Sequence, residues 1–238
     1  PWRPEPTALF WNAIPMRTRR SVTARTAGPG QDAPNVLIIY RPSGRYPGSN
    51  NSLVSPFPHV AADVLTAAAS VSLLILDVDG VLTDGGVYYD PDGGVTKRFN
   101  VQDGLGIAIL RKIGVRVGVI TGMNVTCVEA RLRDMKIVDY YCGQLNKIAA
   151  FEEMQQKYGL EKAQIGYVGD DWIDIPVMRR AGFSVATANA QPEVKPEAMY
   201  VTEKRGGDAA VREVARLLLH ARGGLDAALA EWSDGIIL

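Results

Sequence analysis

Cysteine is nearly absent from this chain. Cys127 and Cys142 are its two cysteines, too few for a disulfide scaffold and without the paired spacing of a zinc site. Long apolar runs are absent too. No stretch approaches the roughly 20 residues that span a bilayer, so no membrane partner is expected. Net charge is missing: 26 Lys and Arg balance 26 Asp and Glu, which leaves no basic footprint for nucleic acid. No G-x-G-x-x-G follows the first apolar strand, so a dinucleotide-binding turn is not indicated. What remains is a chain of 238 residues, 47% hydrophobic. It is long enough for one or two domains with a full core and suits a reducing cytoplasm.

The chain changes character near residue 70. Ten of its 14 prolines precede that point, with seven arginines, no lysine and three acids, Glu5, Asp32 and Asp63. Val36–Tyr40 could form a strand, but Arg41-Pro42-Ser43-Gly44 stops it. The acid-free piece from Met16 to Gly28 has a transit-like composition and no helical moment to support targeting. Residues 1–70 are therefore expected to be an irregular or disordered extension, and residues 71–238 the functional domain with a C-terminal tail. From Val71 onward strands and helices alternate. Strands are expected at Leu73–Val78, Arg116–Ile120, Tyr140–Tyr141, Ile165–Val168, Phe183–Ala186 and Met199–Val201. Helices are expected at Asp103–Ile113, Asn124–Asp134 with Asn124 as N-cap, Asn146–Tyr158, Trp172–Arg180 and Asp208–Leu219. Repeated βα units with apolar strands give an α/β, Rossmann-like sandwich around a parallel sheet. Between the first strand and its helix, Val87–Tyr89, Asp90–Gly94 and Val95–Phe99 read as a β-hairpin flap beside the strand end.

The first strand ends in Asp77-Val78-Asp79-Gly80. Positions i and i+2 share a face, so both acids lean into the crevice at the carboxyl end of the sheet, where such folds bind ligands. Two carboxylates held that close call for a cation; Mg²⁺ with a carboxylate nucleophile is the simplest fit. Each later strand ends in residues that suit it. Thr121-Gly122 offers a hydroxyl and backbone donors. Lys147, at a helix start, offers positive charge. Gly169-Asp170-Asp171, with Asp174, offers oxygen ligands for Mg²⁺. Singly, each has a plainer reading as a cap or a surface residue; together they converge on one crevice.

In this order the motifs resemble the haloacid dehalogenase superfamily of phosphotransferases. Asp77–Gly85, Phe99–Gly104, Tyr167–Asp171 and Gly206–Glu213 are similar to its capless 3-deoxy-D-manno-octulosonate 8-phosphate phosphatase branch, over about residues 72–225. The resemblance implies that Asp77 is the nucleophile and Asp79 the acid and base. It implies that Asp77, the Asp79 carbonyl and Asp170 hold Mg²⁺, and that Thr121 and Lys147 hold the transferring oxygens. Asp171 and Asp174 would orient metal-bound water or Lys147. Asn100, Val101, Gln102, Asp103, Gly104 and Arg131 would line the substrate site with Lys147. A homotetramer would supply the lid, with the Arg205-Gly206-Gly207 turn and the tail from Gly223 to Leu238 as closing elements. Where the family carries arginine after its Thr-Gly pair, this chain has Met123. That leaves open a related substrate, such as a nonulosonate 9-phosphate. A non-catalytic oligomerisation or regulatory module is the reading from another class.

Overall fold

The structure, a computed structural model, describes residues 57–233. The possible strand at Val36–Tyr40, the Met16–Gly28 piece and the tail's last five residues lie outside them. Six strands form one parallel sheet: β1 (Leu73–Leu76), β4 (Arg116–Ile120), β5 (Asp139–Tyr141), β6 (Ile165–Gly169), β7 (Phe183–Ala186) and β8 (Tyr200–Val201). Their order is β5-β4-β1-β6-β7-β8. β1 is central, with Leu73 opposite both Arg116 and Ile165. The chain leaves β1 toward β4 and β5 and returns on its other side through β6. This is the reversal of strand order at which α/β sheets open a crevice.

β1 is apolar at every position because both its faces are covered. Leu74 and Leu76 enter one core with Val117, Val119, Ile107, Leu110, Val128, Val214 and Leu218. Leu73 and Ile75 enter the other with Ile120, Phe151, Met154, Ile165, Tyr167 and Val177. The alternation is the two-residue period of a strand. Helices α1 (Ala62–Ser70), α2 (Val101–Lys112), α3 (Thr126–Asp134) and α6 (Ala210–Ala221) cover the first face; α4 (Ile148–Tyr158) and α5 (Ile175–Met178) cover the second. α6 buries Val211, Val214, Leu217 and Leu218, each contributing about 1.5–3 kcal/mol. The expected flap is present as β2 (Tyr88–Tyr89) paired antiparallel with β3 (Val95–Thr96). Asp90 closes its turn by accepting from the N–H groups of Asp92 and Gly94.

Four expectations need correction. α1 lies inside the stretch read as irregular: Val64 and Ala68 are buried in the core, so folded structure starts upstream of residue 70. The third helix begins at Thr126 rather than Asn124; its cap residue is Val125, and no side chain caps it. Trp172–Arg180 is not one helix. A 3-10 turn at Trp172–Asp174 precedes the four-residue α5, because Pro176 near the start of α5 has no N–H to continue a longer ladder. The tail, expected as a closing element for a neighbouring site, begins as helix α7 (Leu225–Ser233), whose Glu231 pairs with this chain's own Lys112 at 2.6 Å.

Candidate active site

The site is assembled from three strand ends and one helix start. Asp77 follows β1 and is still tied to the sheet through its N–H to the Val168 carbonyl, 3.0 Å. Thr121 follows β4, Asp170 follows β6, and Lys147 immediately precedes α4. Lys147 is fully buried and pairs with Asp77 Oδ1 at 2.8 Å and Asp174 Oδ1 at 2.7 Å. Burial pulls its pKa down, but Asp77 and Asp174 outweigh burial and raise it. The loop after Asp77 turns at Gly80, whose φ is +84°. A Cβ there would lie 1.9 Å from Asp170 Oδ2, so glycine is what lets the two segments meet. The Gly80 carbonyl is fixed by Thr187 Oγ1 at 3.1 Å and Asn189 Nδ2 at 3.0 Å. Asn189 Oδ1 in turn accepts from Gly206 N–H.

Asp77, Asp170 and Asp174 each place a carboxylate oxygen within 4.8 Å of the others. Asp174 is already saturated: Oδ1 accepts from Lys147 and from the Tyr167 hydroxyl at 2.6 Å. Its Oδ2 accepts from the N–H groups of Asp170 and Asp171. It braces the cluster, while Asp77 and Asp170 keep oxygens available. Asp170 Oδ1 and Thr121 Oγ1 are buried with no hydrogen-bond partner among the described residues. Hard oxygen donors, an excess of negative charge and an orphaned carboxylate oxygen fit Mg²⁺. Asp171 is exposed, and its carboxylate caps the 3-10 turn at Trp172 N–H, 2.7 Å; it is Asp174 that reaches Lys147.

Without a cation these carboxyls resist ionisation. Burial, then repulsion from Asp174, pushes Asp77 up from 3.8 to about 7. Burial, then Asp77, pushes Asp170 up to about 8. The folded protein therefore holds protons that the unfolded chain releases near pH 4. Metal-free stability falls as pH rises from about 4 through 7–8, and Mg²⁺ replaces those protons. The Mg²⁺-induced rise in Tm is accordingly larger at pH 8 than at pH 6. A thermal-melt titration giving an equal or larger rise at pH 6 contradicts this.

The expected substrate residues divide. Arg131 Nη2 donates to the Asn100 carbonyl at 3.1 Å, and Asn100 Nδ2 to the Gly207 carbonyl at 3.4 Å. Gly104 makes room for Arg131: a Cβ there would lie 2.8 Å from Nη2. Val101 and Gln102 are exposed at the start of α2. Asp103 is buried, accepts from Arg212 N–H at the start of α6, and is pushed up to about 6 by burial; it ties α2 to α6. The Arg205–Gly207 turn, expected as a closing element, is packed into this chain's own loop after Asp77. Gly206 sits where a Cβ would fall 1.8 Å from the Gly80 carbonyl, and Gly207 N–H donates to the Val81 carbonyl.

Sequence reasoning missed Lys97. Its Nζ lies 2.6 Å from each oxygen of Asp79. The signal was period two: Val95, Lys97 and Phe99 share a strand face, and that face is the covered one. The Tyr167 hydroxyl and Asn189 were also missed; an apolar strand and a polar loop carry no local sign of such contacts.

Residues 126–214 match the haloacid dehalogenase-like hydrolase family. The chain is 46% identical over 177 residues to 3-deoxy-D-manno-octulosonate 8-phosphate phosphatase from Escherichia coli K12, covering 74% of this chain and 94% of that protein. The crystal structure of the Yersinia pestis phosphatase of that name is 44% identical, with TM-score 0.69 and coverage of 70% and 90% of the two chains. The Moraxella catarrhalis phosphatase, crystallised with magnesium, phosphate and KDO, is 36% identical, with TM-score 0.70 and coverage of 71% and 98%. The parallel sheet, the acidic crevice with its buried lysine and these identities agree: the chain belongs to the haloacid dehalogenase superfamily of hydrolases, within the 3-deoxy-D-manno-octulosonate 8-phosphate phosphatase family.

Proposed function

We propose that the chain is a Mg²⁺-dependent phosphomonoesterase acting on 3-deoxy-D-manno-octulosonate 8-phosphate, in lipopolysaccharide sugar synthesis. One observation carries the reading: Asp77 and Asp170 converge in a buried crevice while Lys147 and Asp174 brace them. A carboxylate of Asp77 attacks phosphorus as the bond to the sugar oxygen breaks, giving an aspartyl-phosphate. Asp79 gives a proton to the departing sugar oxygen. It then takes one from a water, whose oxygen bonds to phosphorus as the Asp77–phosphorus bond breaks and phosphate leaves. Asp77, the Asp79 carbonyl and Asp170 would hold Mg²⁺, whose charge would let an anionic nucleophile meet an anionic ester. Thr121 Oγ1 and the third N–H of Lys147 hold phosphoryl oxygens. Asn100, Val101, Gln102, Gly104 and Arg131 face the sugar acid, with Asp103 steadying α2 against α6. The two free cysteines suit the cytoplasm. No described helix is long and apolar enough to cross a membrane. The flap's Tyr88 and Tyr89, 58% and 68% exposed, suit a contact between copies in a homotetramer. The phosphatase unit takes in α1 and Phe57, which pack in the core upstream of residue 71.

Phosphate release from a panel of phosphorylated sugar acids with Mg²⁺ tests the substrate. The octulosonate 8-phosphate is expected to give the highest kcat/KM. Better turnover of a nonulosonate 9-phosphate, or of a neutral sugar phosphate, overturns that assignment. No turnover of any phosphate ester by folded protein favours the non-catalytic module.

A further inference from the structure

Lys97 stands apart from the rest of the flap. β2 and β3 are almost wholly solvent-exposed, yet one residue past β3 the Lys97 side chain is 0% exposed. Burying an ammonium is costly unless its donors are all engaged. Here they are: two N–H groups meet the two oxygens of Asp79 at 2.6 Å each, and a third meets Met123 Sδ at 3.3 Å. Asp79 itself is 29% exposed. Its other described side-chain contact is the Thr83 hydroxyl at 3.4 Å, which is long for an O–H···O bond. Without Lys97, nothing described would stop the Asp79 carboxylate turning to solvent. Met123 also gains a local role, since its sulfur fills the place where Lys97's last proton points.

We propose that Lys97 is a positioning residue that holds Asp79 as proton acceptor for the hydrolysis of the aspartyl-phosphate, and so couples the seated flap to the second half of the reaction. The inference rests on the two-step reading above. A carboxylate clamped through both oxygens has a fixed plane, and a base must be fixed to take a proton from an attacking water. When Asp79 accepts that proton, water's oxygen bonds to phosphorus and the Asp77 carboxylate is released. The ammonium keeps its proton throughout and exchanges none with substrate.

The test is the steady-state level of phosphorylated protein. An aryl phosphate carrying ³²P is used, because its leaving group needs little protonation and the first step stays fast. In Lys97→Met, turnover is expected to fall about 10–100-fold, with a burst of phenol release and labelled protein accumulating well above wild type. Asp79→Asn combined with Lys97→Met is expected to be no slower than Asp79→Asn alone, because Lys97 acts through Asp79. A raised KM without accumulated label, or further slowing in the double variant, overturns the proposal: Lys97 then only seats the flap. Lys97→Gln, with the same outcomes, serves if the methionine variant does not fold. Failure of the two-step reading looks different, since wild-type protein quenched during turnover then carries no label at all.

Discussion

Asp77→Asn is expected to lower Mg²⁺-dependent phosphate release by at least about 10⁴-fold without unfolding the protein. The amide keeps the shape of the carboxylate and loses its nucleophilic oxygen. The buried site makes the stability outcome unusual. In wild type the Asp77 carboxyl is disfavoured by burial and by Asp174, and Lys147 offsets only part of this. A neutral amide removes that repulsion, so in EDTA at neutral pH the variant melts at or above the wild-type temperature. Its stabilisation by Mg²⁺ shrinks, since one of the two available carboxylates is gone. Activity assays beside melts with and without Mg²⁺ check all three results. A variant that keeps more than about 1% of activity removes Asp77 from the reaction.

Lys147→Met is expected to have the largest effect on stability. Among the described residues the lysine is the one positive charge placed between Asp77 and Asp174, and both its pairs are shielded from water. Removing one partner of a buried ion pair costs about 3–5 kcal/mol, because the remaining charge is left uncompensated. In a domain of this size that corresponds to a Tm lower by roughly 10 °C. The loss depends on pH in a definite sense. With Lys147 gone, Asp77, already raised to about 7 by burial and by Asp174, loses its compensating charge and relieves the repulsion by taking up a proton, so the gap to wild type narrows as pH falls from 8 toward 5. Mg²⁺ also narrows it, by supplying replacement charge. Melts across this range, with and without Mg²⁺, decide the matter: a deficit that is small at pH 8, or that grows toward pH 5, contradicts a charge-bracing role. Activity is lost as well, since Lys147 is expected to reach the transferring oxygens.

Much of this was legible from sequence. Strands buried on both faces are unbroken apolar runs, so Leu73–Leu76 and Phe183–Ala186 could be read directly. The acids and Thr121 fall where those runs stop, and a parallel sheet brings such ends together. Other features depend on three-dimensional neighbours. α1, with the sequence ADVLTAAAS, is short, alanine-rich and follows prolines; only its docking on α6 and the sheet gives it stability. Asp171 and Asp174 lie within one turn of chain, and spacing alone does not say which faces Lys147. Pro176 is the local sign of the break in the helix after Trp172, since it lacks the N–H that a longer ladder needs. Asp103 sat in a motif tied to substrate, while its contact to Arg212 N–H spans 109 residues.

The most direct test of the account is to find the phosphorus on the chain. Protein quenched in acid during turnover and reduced with borohydride converts an aspartyl-phosphate to homoserine, which peptide mass spectrometry locates. The account predicts homoserine at position 77 and at no other aspartate; the modification at another residue, or none while turnover proceeds, contradicts it.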